Sequence, residues 1–383
     1  MTTASVALIG ANGYGQTHRR HLMSLQDTDT VRLVALADVR PIEPDPSGVA
    51  AFSDHRELLA TTRPDVVVIC TPPHTHLPIA RDAFAAGCDV LLEKPPVGTL
   101  AEHRSLLTAA RAAKRACQVG FQALGSTASD RLGAAITAGD LGPVTGVATI
   151  ASWQRDDGYY ARTPWAGRRS VAGRPVIDGA LVNPLAHALM QALDAAAAAG
   201  AGAPVRIEVE RYRTREIEVD DTTFARITFA SGLRMIAAVT LAGPDYIAGE
   251  VLVDGRAGRA VLEYQADRLA LPGDPELQSV PGRVDLLENL LAHRADPQVA
   301  LIAPLERTAA FTAVLESLTA LALPLPELLD DPYVESHGEG AGRVQLIRGV
   351  TAVLRQTART GRLPSESGVA WAVTPYSAPV PPI

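Results

Sequence analysis

The first 120 residues alternate short apolar runs with longer amphipathic ones. The apolar runs predict strands at 5–9, 31–37, 66–70, 90–92 and 118–120. The stretches between them predict helices at 15–25, 54–62, 77–86 and 100–116. Thr99, with Glu102 three residues on, is a capping-box signal for the last of these. Gly87 suits the stop of the helix before it. Strands apolar on both faces and alternating with helices mean a parallel, doubly wound α/β sheet.

After about residue 143 the period changes. Strands are predicted in succession at 144–155, 205–218, 222–229, 233–242, 248–254, 259–264 and 268–271. Ala230-Ser231-Gly232 reads as a tight hairpin loop. Strands joined by short links mean a mainly antiparallel sheet. Helices are predicted at 284–295, 305–322 and 344–360, and the alanine run 195–199 lies inside another. The proline-rich tail, 375–383, is expected to run extended, free to pack on a neighbour. The pattern divides into a dinucleotide-binding domain at 1–122 and an α+β domain at 123–383. The last helices and tail begin at about 335.

Composition narrows the class. A chain of 383 residues, 47% hydrophobic and 20% charged, buries a full core and suits two domains. A net charge of −7 argues against nucleic acid or an anionic membrane as partner. The apolar run at 6–9 is too short for a signal peptide, and no stretch has the length of a membrane span, so a cytoplasmic protein is expected. Cys70, Cys88 and Cys117 have no metal-ligand spacing and read as free thiols.

The chemistry starts at Gly10-Ala11-Asn12-Gly13-Tyr14-Gly15, between a predicted strand and a helix. In that context it reads as a dinucleotide fingerprint, with the pyrophosphate on the helix N-terminus. Asn12 replaces the middle glycine; Asn tolerates a left-handed backbone, and Gly13 beside it adds freedom. Asp38, at the end of the second strand, is placed to accept from both ribose hydroxyls. It favours NAD, whereas Arg40 could hold the 2′-phosphate of NADP. Thr71, Pro72, His74 and His76 stand where the third long strand breaks, at the edge that carries ligands in such sheets. For His76 a structural role is preferred.

Lysine occurs twice, at Lys94 and Lys114, against 33 arginines. Lys94 follows Glu93 at a strand end and precedes Pro95-Pro96. An ammonium there is a compact donor, unlike the rigid guanidinium fork.

With His18, the Thr-Pro-Pro-His-Thr-His strand end, Glu93-Lys94-Pro95 and Val119-Gly120-Phe121-Gln122 in this order, the chain resembles the glucose–fructose oxidoreductase/inositol dehydrogenase/rhizopine-catabolism (Gfo/Idh/MocA) family. The resemblance is specific over 5–150 and architectural beyond. It implies a Rossmann domain, a C-terminal domain on an open antiparallel sheet, and NAD(P)-dependent redox chemistry at a sugar, cyclitol or related carbinol. It also implies a homodimer or homotetramer built on the sheet face. His187 matches the family's histidine, but the acid four residues earlier is Asn183. Asn183-Pro184 also reads as a helix start, with Asn as N-cap and Pro at the first helical position.

The implied roles make His187 the general acid/base and Lys94 the donor to the substrate oxygen, with a lowered pKa beside an oxidised nicotinamide. Glu93 supports Lys94 or the ribose, and Gln122 contacts substrate or nicotinamide. Segment 153–169 concentrates aromatic and arginine side chains. Tyr160, Trp165, Arg168 and Arg169 are its substrate-binding candidates, and the arginine pair points to an anionic or highly oxygenated substrate. Two other classes remain open: an NAD-dependent glycosidase or eliminase with transient sugar oxidation, and a catalytically silent NAD-binding sensor.

Overall fold

The computed structural model describes residues 3–42, 48–320 and 323–383. The chain forms two compact units. One comprises Met1–Gln122 and Val284–Thr312, the other Ala123–Arg283 and Ala313–Ile383. Segment 284–312, assigned to the second domain by its place in the sequence, therefore returns to the first.

The first unit is built on strands β1 (Ala4–Ile9), β2 (Val31–Ala37), β3 (Ala50–Phe52), β4 (Val66–Ile69), β5 (Asp89–Leu92) and β6 (Cys117–Val119). Between them run helices α1 (Gly15–Asp27), α2 (His55–Thr62), α3 (His76–Ala85) and α4 (Leu100–Ala113). The sheet is all parallel in the order β3-β2-β1-β4-β5-β6. Strand order reverses between β1 and β4, and the crevice above their carboxyl ends is where such sheets bind ligands. Val6, Leu8, Val66, Val67, Val68 and Leu92 are fully buried, as the unbroken apolar runs require. The Thr99–Glu102 capping box is present, and α4 stops at Ala113 rather than 116, with Lys114 as a left-handed cap. The three-residue edge strand β3 was too short to leave a pattern.

The returning segment covers the free edge of β6. The Val119 N–H donates to the Ala303 carbonyl at 2.8 Å. Buried Gln118 donates to Asn289 Oδ1 at 2.6 Å and accepts from the Ala303 N–H at 2.8 Å. Arg294, in the helix Leu286–Ala295, reaches Asp65 and Asp89 at the amino ends of β4 and β5, both at 2.6 Å. These partners lie some two hundred residues from it, beyond any local pattern.

The second unit is built on a ten-stranded sheet. Its central strands are Ala242–Gly255, Val144–Gln154, Arg234–Thr240, Thr222–Phe229 and Pro204–Arg213, in that spatial order. Pairing is antiparallel except between Val144–Gln154 and Arg234–Thr240 and between Pro204–Arg213 and Glu327–Leu328. The expected breaks move slightly: 205–218 shortens to Pro204–Arg213, and 248–254 lengthens to Ala242–Gly255.

Both faces of these strands are covered. Ala148, Ile150, Tyr212, Phe224, Ile236 and Ala238 form one core with Val350, Leu354, Ala358 and Trp371. The helix Val350–Thr360 supplies that layer through positions spaced four apart, with Ala352, Arg355 and Arg359 on its exposed side. Helix Ala186–Ala198 packs on the same central strands, whose alternate residues Ala225, Ile227, Ala237 and Val239 are also fully buried.

Two expected helices differ in the structure, and the expected extended tail finds a partner strand. Residues 344–347 form a strand, Val344–Ile347, paired with Val334–His337, so the last helix starts only at Val350. The predicted helix 305–322 is a 3-10 turn at Leu305–Thr308 followed by Ala309–Thr319; its last two positions lie outside the described residues. Part of the tail, Tyr376–Pro379, adds to the chain's own strand Pro204–Arg213.

Candidate functional site

The glycine turn closes over β1. A Cβ at Gly10, whose φ is +89°, would stand 2.4 Å from the Cys70 carbonyl oxygen. A Cβ at Gly15 would meet the Gly10 carbonyl at 1.8 Å. Only glycine fits at either place. Gly13 has φ +58° with open space where a Cβ would lie. The positive-φ positions of the turn are therefore Gly10 and Gly13, and Asn12 is not among them. Asn12 has another role: its N–H donates to Asp38 Oδ2 at 2.9 Å. Helix α1 opens with Tyr14 as an N-cap that makes no side-chain cap; the Gly15, Gln16 and Thr17 N–H groups bond back to the Asn12, Gly13 and Tyr14 carbonyls.

Asp38 also accepts from the Arg40 N–H at 3.0 Å. Burial pushes its carboxyl up, but the bonds from Arg40 and Asn12 prevail and hold it below the usual range. The carboxylate stays ionised and aimed at the edge of β2. The Arg40 guanidinium is 68% exposed, with Nε 3.6 Å from Asp38 Oδ1.

At the end of β4, Thr71 is half-buried, and Pro72 and His74 are exposed. His76 is fully buried, with Nε2 2.8 Å from the Thr71 carbonyl and Nδ1 3.0 Å from that of Pro95. It braces the two strand ends from beneath. As a ring enclosed by protein it does not face the crevice, so its candidacy as a cofactor contact is withdrawn. Its neighbour Pro95 follows a cis peptide bond from Lys94.

Lys94 leaves the carboxyl end of β5, beside that of β4. Glu93 before it is buried and accepts from the Lys94 N–H at 3.1 Å, from His18 Nε2 at 2.9 Å and from Gln122 Nε2 at 3.2 Å. Gln122 is tied to that carboxylate.

In the second unit the helix bearing His187 begins at Ala186, with Leu185 as N-cap. Asn183 and Pro184 lie in the preceding turn, so the predicted cap at Asn183 is not made. Instead Asn183 Nδ2 donates to Asp178 Oδ1 at 3.1 Å. The other oxygen of Asp178 accepts from the Gly167 N–H at 2.8 Å. Asp178 is 6% exposed and ties the turn before His187 to segment 157–168 through Gly167. An acid thus stands one contact behind the position where the family has one. The lone acid in the apolar stretch 176–182 was the signal for it.

The aromatic segment is organised around arginines. The Arg155 guanidinium lies 5.0 Å from the Trp153 ring centre and 4.9 Å from that of Tyr159. That of Arg162 lies 3.4 Å from Tyr159 and 5.2 Å from Trp165. These ring faces are engaged within the segment. Arg168 pairs with Glu218 at 2.8 Å, and Arg169 donates to the Ala320 and Leu323 carbonyls at 2.8 and 2.9 Å. Each of the two arginines thus has a partner within this unit. Within this unit a cavity of about 790 Å³ is lined by Asp157, Tyr160, Arg168, Arg215, Asp330 and Arg343, among others. Asp157 bridges two of its arginines, Arg215 at 2.8 Å and Arg343 at 2.7 Å. Of the four candidates in the segment, Tyr160 and Arg168 line this cavity.

Among the described residues, no helix is long and apolar enough to cross a membrane. Residues 4–121 match the model of the oxidoreductase family with NAD-binding Rossmann fold, Gfo/Idh/MocA. The chain is 26% identical over 176 residues to D-glucoside 3-dehydrogenase of Escherichia coli (strain K12), covering 45% of this chain and 50% of that protein. It is 36% identical over 94 residues to galactose 1-dehydrogenase of Pseudomonas fluorescens, covering 24% of this chain and 30% of that one. The chain therefore spans half the length, or less, of these curated relatives. Among solved structures, the WlbA dehydrogenase from Bordetella pertussis, in complex with NADH and UDP-GlcNAcA, superposes with TM-score 0.69 at 20% identity. That match covers 86% of this chain and all of the other. An inositol dehydrogenase homolog from Azotobacter vinelandii, complexed with NADH and myo-inositol, gives TM-score 0.66 at 18% identity, over 83% and 95% of the two chains. At such identities the likeness is one of fold. Together with the glycine turn and the Glu93-Lys94-Pro95 strand end, the family match makes residues 4–121 similar to the NAD-binding Rossmann domain of Gfo/Idh/MocA oxidoreductases.

Proposed function

We propose that the chain is an NAD-dependent oxidoreductase acting on a hydroxyl or keto carbon of a sugar, cyclitol or related polyol. The observation that carries this is the shared edge of one sheet. Gly10, Asp38 and Lys94 all stand at its carboxyl end, on β1, β2 and β5. The turn suits a pyrophosphate because Gly13 leaves open space beside a helix start that no side chain covers. The fixed carboxylate of Asp38 suits a ribose diol and repels a 2′-phosphate, so NAD is preferred to NADP.

When bound, the nicotinamide supplies the hydride acceptor or donor. The chain supplies the rest. Lys94 donates to the substrate oxygen and stabilises its alkoxide character. His187 takes the hydroxyl proton on oxidation and returns it on reduction. Asn183 and Asp178 hold the turn that presents His187. The cavity lined by Tyr160 and Arg168 offers hydroxyl and aromatic contacts to an oxygenated ring. Its arginines are matched by Asp157 and Glu218, which suits a neutral substrate better than an acidic one.

The test is a panel of neutral sugars, cyclitols, amino sugars and sugar acids with NAD and NADP, followed by absorbance of the reduced cofactor. Turnover with NAD on a neutral polyol, lost in Lys94→Ala by about 10² to 10³-fold in kcat, is expected. Bound NAD with no turnover across the panel would refute the assignment.

A further inference from the structure

Glu93 is 7% exposed, yet it carries a carboxylate. Its three donors come from three elements. Oε1 accepts from His18 in α1 at 2.9 Å and from Gln122 after β6 at 3.2 Å. Oε2 accepts from the Lys94 N–H at 3.1 Å. Gly120 makes room for it, since a Cβ there would lie 3.0 Å from Oε1. A carboxylate only accepts, so the His18 nitrogen facing it carries the proton. Burial pushes the carboxyl up; the hydrogen bond and charge of His18 and the charge of Lys94 outweigh it and hold it below the ordinary range. Glu93 is therefore a buried anion at neutral pH.

We propose that Glu93 is the positioning residue and fixed counter-charge of Lys94, and that His18 and Gln122 act on the lysine through it. This rests on Lys94 as the group that donates to the substrate oxygen. The grip on the Lys94 N–H fixes the peptide from which that side chain leaves β5. The negative charge favours ammonium over amine, which keeps Lys94 a donor. His18 lies one turn into the helix that the glycine turn opens, and the edge of the Tyr14 ring packs against it at 5.6 Å between centres. The same carboxylate thus ties the cofactor turn to the lysine. A free-standing strand end would leave the lysine mobile, and a misplacement of about 1 Å costs on the order of 10²-fold in rate.

The chain has only two lysines, so the test can be made on the protein without cofactor. Lysine labelled with ¹⁵N and ¹³C gives two side-chain signals, and Lys114 serves as the internal control. In Glu93→Gln the Lys94 titration is expected to move to lower pH while that of Lys114 stays in place. Glu93→Asp keeps the charge but withdraws it by one methylene. It should hold the Lys94 titration nearer its native position and still lose about 10-fold in kcat, with KM for NAD changed less than about twofold. His18→Leu should reproduce that split between kcat and KM. An unmoved Lys94 titration in folded Glu93→Gln overturns the proposal, even if the native chain oxidises a polyol. If Glu93→Gln does not fold, native kcat in both Glu93→Asp and His18→Leu overturns it. A shifted Lys94 titration in a chain that turns over no substrate would leave this pairing standing and sink the functional assignment.

Discussion

The two sheets are closed by different means. The parallel sheet of the first unit is covered by helices that its own crossovers deliver, each within about 20 residues of the strands it joins. A remote segment, 284–312, covers its β6 edge and ties the amino ends of β4 and β5. The ten-stranded sheet has one face covered by a helix that arrives long after its five central strands. That helix and the residues after it are pinned at named points. Trp371 meets Tyr212 edge-on at 4.8 Å, and the Val373 N–H donates to the Tyr212 hydroxyl at 3.2 Å. Arg226 makes paired bonds to both Glu208 and Glu366, and Arg355 makes paired bonds to Glu250. An apolar face of this size would otherwise need a partner. Here the chain's own helix covers it, which a count of strands and helices does not reveal.

The largest expected effect breaks the cover. Trp371→Ala removes a ring that is 8% exposed and packs on Tyr212 and Phe224. It should destabilise the second unit by about 3–5 kcal/mol. Urea unfolding followed by far-UV circular dichroism reads that loss. Light scattering should show new self-association, because the uncovered face is apolar. A variant that stays as stable and as dispersed as the native chain would show that the helix is an ornament on a face already satisfied. NADH titration should be unchanged, since the nucleotide turn belongs to the other unit.

A smaller effect comes from the clamp. Arg226→Ala leaves Glu208 and Glu366 without their shared cation. Both acids are partly exposed, 21% and 35% by side chain, so the cost is screened to about 1–2 kcal/mol. The same clamp sets a pH response. The Arg226 guanidinium holds the Glu208 and Glu366 carboxyls below their ordinary value. Their stabilisation is therefore fully present above the unfolded glutamate value of about 4.3 and is lost as pH falls through the lower folded values. Hydrogen exchange over 350–373 should quicken below pH 4 in the native chain. In Arg226→Ala it should already be quick at pH 6. Equal rates in the two proteins at pH 6 would rule the clamp out as the latch.

Legibility followed the same divide. Gly10, Gly15, Asp38 and Lys94 were readable because each is defined by its position relative to a neighbouring strand or helix. The helix boundaries of the first unit came from local caps such as Thr99–Glu102. What stayed hidden was set by distant partners. His18 was visible as part of a fingerprint, but its bond to Glu93 spans 75 residues. Arg168 and Arg169 read as substrate ligands because unpaired charges invite that reading. Their partners, Glu218 and the carbonyls at 320 and 323, lie far along the chain. The strand at Val344–Ile347 was absorbed into a helix because its apolar spacing fits both periods, and only its pairing with Val334–His337 decides it.

Asn183 gives the subtlest test, because local pattern and remote contact disagree there. The local pattern makes it a helix cap, and the structure makes it a donor to Asp178. Asn183→Asp would restore an acid like the family's and would set two carboxylates at hydrogen-bond distance. One of them would have to hold a proton or turn away. A loss of about 1 kcal/mol in stability is expected, together with a loosened segment 157–168, read as faster hydrogen exchange there. The reciprocal change, Asp178→Asn combined with Asn183→Asp, exchanges donor and acceptor and should recover most of that loss. Full stability in Asn183→Asp alone would show that Asp178 is held by Gly167 and needs nothing from Asn183. Recovery in the double variant would instead establish that one acid must stand in this pair, on either side of it.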